Sequence, residues 1–152
     1  MDELAGYSAE VVERCGTCGG NLRSAISQSA FKGRLVWSID RWCDNCGHAE
    51  VVDGWDDMPD ELRSMLIEQC GLVRVRVDRA EANPLRVRLM AVFRVNGVGL
   101  VEARDAVARL VGEGVTGTDA EMRLLSERLA AVGVTPHLDL LGRSVDEEAE
   151  AG

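Results

Sequence analysis

Residues 42–48 read WCDNCGH, and residues 15–20 read CGTCGG. Each is a C-x2-C pair with a glycine directly after its second cysteine, and 24 residues lie between Cys18 and Cys43. Two such turns deliver four soft donors, which is what a tetrahedral zinc ion requires. The trailing glycines supply the positive backbone angle that a tight cysteine turn often needs. A redox dithiol instead needs its first cysteine at the start of a helix, and neither GGNLRS nor GHAEVV opens one convincingly. A pair of disulfides would require an oxidising compartment. The start MDELAGYSAEVVERC is acidic and lacks the regions of a signal peptide, so the expected location is cytoplasmic. Cysteine at all four positions leaves no place for a reacting water, so Cys15, Cys18, Cys43 and Cys46 are read as ligands of a structural zinc. In so small a unit the metal would supply much of the folding energy.

The flanks of the cysteines fit that reading. LVWSIDRW, residues 35–42, has strand-like composition and AEVV leaves the second pair, giving a strand–turn–strand plan. Residues 15–56 thus resemble a four-cysteine zinc ribbon, preceded by a short helix or arm over 1–14. Trp37, Trp42 and Trp55 are expected to pack its small core, with a base-stacking surface as the alternative. His48 is expected to face solvent, Cys70 to lie in a core, and His137 to sit at an exposed edge.

The chain has 152 residues, 46% of them apolar, and a formal charge of −9. It contains no apolar run of about 18 residues, which excludes a membrane-spanning helix. The negative balance argues against a general nucleic-acid binder. Charge is unevenly distributed, however: residues 72–94, LVRVRVDRAEANPLRVRLMAVFR, carry six arginines against two acids. That segment could form a local basic patch or simply the solvated face of a strand.

Further elements follow in order. DDMPDELRSMLIEQCG reads as a connecting helix over 57–71, with Pro59 in its first turn and Gly71 as its stop. LVRVRVDR alternates, placing Val73, Val75 and Val77 on one side of a half-buried strand. PLRVRLMAVFRV has branched residues that suit a strand, but Leu85, Leu89, Val92 and Phe93 keep a helical period, and Asn83-Pro84 offer a cap. GLVEARDAVARLVGEG is a helix with Leu100, Ala103, Val107 and Leu110 on one stripe. TGTDAEMRLLSERLAAVG is another, capped at Thr118 or Asp119, with Met122, Leu125, Leu129 and Val132 inward. VTPHLDL is an edge strand, because Pro136 cannot donate to a ladder. The acidic stretch 142–152 is expected to be a disordered tail.

NPLRVRLMAVFRVNGVGLVEARDAV followed by EGVTGTDAEMRLLSERLAAVGV resembles the C-terminal domain of the bacterial ribosomal stalk protein L7/L12. The likeness runs from Leu72 to Leu140 and includes the Gly97-Val98-Gly99-Leu100 turn, the Glu102-Ala103-Arg104-Asp105 helix start and the Gly114-Val115 connector. It implies an α+β domain over 72–141, a small antiparallel sheet covered by three helices, and so a helix at 84–94. It also implies a docking surface on the first two helices and their turn. The family's basic positions there fall on Met90, Phe93, Val101 and Arg104, of which Arg104 alone keeps its charge. The apolar positions of the turn survive as Val98 and Leu100. A face rewritten in this way loses its ion-pair partners on an acidic surface and becomes apolar. The preferred expectation is that the helix over 59–70 or the zinc unit of this chain covers it, with a protein partner or a second copy as the alternatives.

No nucleophile, phosphate-loop or hydrolase pattern is present: VNGVGLVE has neither GxxxxGK[ST] nor GxGxxG. The expectation is therefore a non-enzymatic zinc-containing adaptor whose partner is another protein. One alternative is a nucleic-acid or ribosome-associated factor using Arg74, Arg76, Arg79, Arg86 and Arg88. Another is an immunity-type inhibitor of a toxin, which would use the acidic run DGWDDMPDE.

Overall fold

The structure, a computed structural model, describes residues 8–95 and 97–142. It is an α+β fold that divides into two compact units, the second being Leu72–Leu141.

The first unit is a meander of four antiparallel strands in the order β1 (Ser8–Arg14), β2 (Asn21–Phe31), β3 (Arg34–Cys43) and β4 (Ala49–Trp55). Ser8–Arg14 is therefore a strand, not part of the short helix or arm expected over 1–14. Its alternation supports this, since Ala9 is buried and Val11 half-buried between exposed neighbours. Residues 1–7 lie outside the described residues, as do 143–152 of the expected tail. The β2–β3 turn is Lys32-Gly33, with φ of 51° and 77° at its two central residues. Positive angles at both positions match the strand twist and allow a two-residue hairpin. Two long strands and this minimal turn fill the interval between the cysteine pairs except for Gly19 and Gly20. The β1–β2 and β3–β4 turns, each holding one pair, thus arrive side by side at one end of the sheet.

Helix α1 (Asp60–Cys70) packs on one face of that sheet. Its start lacks a side-chain cap, but Asp60 and Glu61 complement the helix dipole there. Ala9, Ile26, Ile39, Met58 and Leu66 form the buried cluster, with Val11, Trp37, Leu62, Met65 and Cys70 against it. Residues 57–71 thus supply half of a core as well as a connection. Trp37 joins the cluster as expected, whereas Trp55 is 50% exposed and meets Phe31 in a tilted ring contact, centroids 6.5 Å apart, instead. The period-two pattern explains the difference, because Trp37 and Trp55 lie on opposite faces of the sheet.

The second unit is a three-stranded antiparallel sheet, order β6-β5-β7, built from β5 (Val73–Arg76), β6 (Val115–Gly117) and β7 (His137–Leu140). A short helix α2 (Arg79–Ala82) and a 3-10 turn Asn83–Leu85 lead into α3 (Arg86–Phe93). Helices α4 (Leu100–Val111) and α5 (Asp119–Val132) complete it. Val73, Val75 and Val77 enter the core with Leu89, Val107, Leu110, Met122 and Leu129. Asn83 does not cap α3: it makes no side-chain cap bond and instead ends α2 in a helical conformation. Leu100 is also displaced from its expected stripe. It is 57% exposed, because the buried side of α4 is Ala103, Ala106, Val107 and Leu110. Helix α5 is held by a reciprocal cap in which Thr118 Oγ1 accepts from Glu121 N and Glu121 Oε1 accepts from Thr118 N.

Candidate metal centre

The two C-x2-C stretches fold into near-identical turns. Cys15 N donates to Gly20 O at 2.7 Å and Gly19 N to Cys15 O at 2.9 Å. Correspondingly, Cys43 N donates to His48 O at 2.8 Å and Gly47 N to Cys43 O at 3.0 Å. Gly19 and Gly47 adopt φ of 75° and 76°, angles at which a β-carbon would be strained. The glycine after each pair is therefore a requirement of the turn. Gly20 has a different constraint: a β-carbon there would stand 3.0 Å from Asn45 Cβ and 3.3 Å from Cys18 Sγ. Only glycine lets the two turns approach this closely.

Four sulfurs converge as a result. Cys15 Sγ lies 3.7 Å from Cys46 Sγ, Cys18 Sγ lies 3.5 Å from Cys43 Sγ, and all four fall within 4.8 Å of one another. Zinc–sulfur bonds of about 2.3 Å would put the corners of a tetrahedron about 3.8 Å apart. The cluster is therefore geometrically able to chelate a metal. Cys15 and Cys43 are buried while Cys18 and Cys46 are exposed, so the centre sits at the sheet's end with one side toward solvent. No disulfide joins any of the five cysteines.

The surrounding donors favour thiolates but unequally. Asn45 Nδ2 and Gly20 N each donate to Cys18 Sγ at 3.3 Å, and in that order they lower its pKa to about 6. Cys15 is lowered too, by the backbone N–H groups of Cys18 and then Thr17. At Cys46 the His48 N–H favours the thiolate, but partial desolvation among the packed turns and the neighbouring sulfurs of Cys18, Cys15 and Cys43 push it up to about 12. Four sulfurs this close compete for the same charge, and a divalent cation is what removes such a conflict. Asn45 was not legible as a contributor. Its only signal is a polar side chain between the two cysteines of the second pair.

The remaining candidate residues are spread more widely. His48 is exposed and stands outside the sulfur cluster. Cys70 packs against the first core and donates from Sγ to Ser8 O at 3.5 Å. His137 is half exposed on edge strand β7, with Nε2 at 3.9 Å from an Asp78 carboxylate oxygen. Of the expected docking residues, Met90 and Phe93 are partly buried against the second core and Val98 is half-buried. Leu100, Val101 and Arg104 are exposed on α4, whose neighbour α3 carries Met90 and Phe93. Within the arginine set, Arg74 and Arg76 both donate to the Asp139 carboxylate at 3.2 Å. Arg79 and Arg86 line a cleft with Ala82, Asn83 and Val107, and Arg88 is exposed.

Among the described residues no helix is long and apolar enough to cross a membrane. No protein-family model, curated protein or solved structure matches the chain.

Proposed function

We propose that this chain binds one structural zinc ion through Cys15, Cys18, Cys43 and Cys46 and acts as a non-enzymatic protein-interaction module. The observation that carries the metal assignment is the convergence of four thiols within 4.8 Å on two matching turns. Four sulfurs fill a tetrahedral shell, which suits a structural and not a catalytic role. The zinc would clamp the β1–β2 turn to the β3–β4 turn at the end of the sheet farthest from the Lys32-Gly33 hairpin. Metal content of the purified full chain should be one zinc per molecule and should fall on Cys43→Ser substitution. Metal-free protein with an unchanged fold would overturn the assignment.

Support for the interaction role comes from α3 and α4. On the resemblance of residues 72–140 to the stalk domain, these helices and their connecting turn are the docking face. Phe93 and Met90 are partly spent on the core beneath, so the apolar part left for a partner is Leu100 and Val101, 57% and 67% exposed, beside Arg104. Affinity capture with wild type and with a Leu100→Glu/Val101→Glu variant compares the two directly. Partners retained by wild type and lost by the variant support the reading, and identical capture profiles refute it.

A further inference from the structure

The two outer edges of the first sheet are treated differently. Hydrogen-bonded pairs in the β1–β2 ladder continue from Cys15 and Gly20, so the main chain of Ser8, Glu10 and Val12 faces outward on β1. That edge is largely occupied. Gln69 on α1 accepts from Glu10 N at 3.0 Å and donates to Glu10 O at 2.9 Å, and Cys70 donates to Ser8 O. An amide side chain and a thiol thus take the place of a neighbouring strand.

Among the described residues strand β4 has no such cover. Its ladder with β3 is bracketed by the bonds Cys43 N to His48 O and Asp56 N to Leu35 O. Alternation between these fixes Glu50, Val52 and Gly54 as the residues bonded to β3. The N–H and C=O groups of Ala49, Val51, Asp53 and Trp55 point outward and have no hydrogen-bond partner among the described residues. Of the usual protections of an edge, β4 lacks lysine and proline and has only the acids Glu50 and Asp53, while Val51, Val52 and Trp55 are 65%, 43% and 50% exposed. Glu50 is a charge already paired, with Arg41 at 2.9 Å.

We infer that the free edge of β4 pairs antiparallel with β4 of a second copy of this chain, about a twofold axis at Val52. The sequence is self-complementary in that register. Ala49 falls opposite Trp55 of the second copy and Val51 opposite Asp53, and every outward-facing residue of both strands is in a hydrogen-bonded pair. On the other face Val52 meets Val52 and Glu50 meets Gly54, so no acid faces an acid. A slip that centres the axis on Asp53 would oppose two carboxylates, and one centred on Val51 would leave Trp55 beyond the partner's strand. Trp55, already held by Phe31 and by the Arg34 guanidinium 4.5 Å from its ring, would lie across the small Ala49. Such an isologous contact closes on itself and leaves no strand edge for further growth on that side. It uses the first unit alone and is independent of the docking face on α4.

Sedimentation equilibrium of the zinc-loaded full chain, from low micromolar to near-millimolar concentration, tests this. A monomer–dimer equilibrium is expected, and it should strengthen with salt because each chain carries a charge of −9. Val51→Pro removes an outward N–H without touching the β3 ladder and should leave a monomer with unchanged zinc content. Val51→Asp sets a carboxylate opposite Asp53 of the second copy twice per dimer and should weaken association about tenfold. Val51→Lys, in the same position with the opposite charge, should not weaken it. A chain that stays monomeric throughout, including one that takes up a foreign basic strand instead, overturns the proposal. So does a dimer indifferent to both Val51→Pro and Val51→Asp.

Discussion

Gly54 is where the first unit is most sensitive to a single added carbon. It pairs with Trp37 across the β3–β4 ladder, and the indole of Trp37 lies over it. A β-carbon at Gly54 would stand 2.7 Å from each of Trp37 Cε2, Cζ2 and Nε1. Ordinary carbon contacts lie at about 3.5–4.0 Å, so the ring would have to retreat by about 1 Å. It has little room to do so, because it is also packed against the cluster that holds Ile26, Ile39 and Leu66. Overpacking of this kind costs about 1–3 kcal/mol. Replacing a strand glycine by alanine returns about 0.5–1 kcal/mol through backbone entropy. The expected net loss for Gly54→Ala is therefore about 1–2 kcal/mol. Urea unfolding at saturating zinc measures it, and tryptophan fluorescence reports on this unit alone because Trp37, Trp42 and Trp55 all lie within it. The decisive comparison is a double-mutant cycle with Trp37→Leu. In that background Gly54→Ala should be neutral or slightly stabilising, giving a coupling of about 1–2 kcal/mol. Equal effects of Gly54→Ala in both backgrounds would refute the packing argument.

Other perturbations separate the remaining features. A strong chelator should abolish the tryptophan-detected transition of the first unit while far-ultraviolet dichroism retains the helices of residues 72–141; loss of both signals together would contradict two independent cores. Thr118→Ala removes a fully buried cap bond at 3.2 Å and should cost the second unit about 1–2 kcal/mol by thermal unfolding, with Thr118→Ser recovering most of it. Gln69→Ala leaves Glu10 N and O without their side-chain partners and should cost about 1 kcal/mol, read as faster amide exchange at Glu10. Asp139→Asn frees Arg74 and Arg76 from an exposed ion pair worth less than about 1 kcal/mol. If the arginines serve nucleic acid, that variant should bind single-stranded RNA more tightly at low salt; unchanged binding closes that reading.

Local signals explain which elements could be read in advance. Val73, Val75 and Val77 alternate with arginines because β5 has one core face and one wet face, and period two follows directly. Helix α5 carries its own start in Thr118 and Glu121 and its own stop in Gly133, whose φ of 114° only glycine tolerates easily. Strand β2 was opaque for the opposite reason: it turns Ser24 and Gln28 inward beside Ile26, so its buried side reads as polar. Strand β1 has little local signature, because SAEVVER has one fully buried residue and its outer edge is satisfied by a helix some sixty residues away in the chain. The Lys32-Gly33 turn is hidden in the sequence because a lysine at φ 51° is an uncommon first residue for such a hairpin.

The sequence by itself determined the four sulfur donors, the glycines that follow them and the alternating strand of the second unit, because each depends on residues a few positions apart. Only the tertiary structure decided that the two cysteine pairs share one end of a sheet, that Trp55 faces outward while Trp37 faces in, and that α1 covers one sheet edge and leaves the other open. Those outcomes depend on register and on which face of a strand is buried. Both are fixed only when Lys32-Gly33 sets the pairing of β2 with β3 and the helix settles on one side.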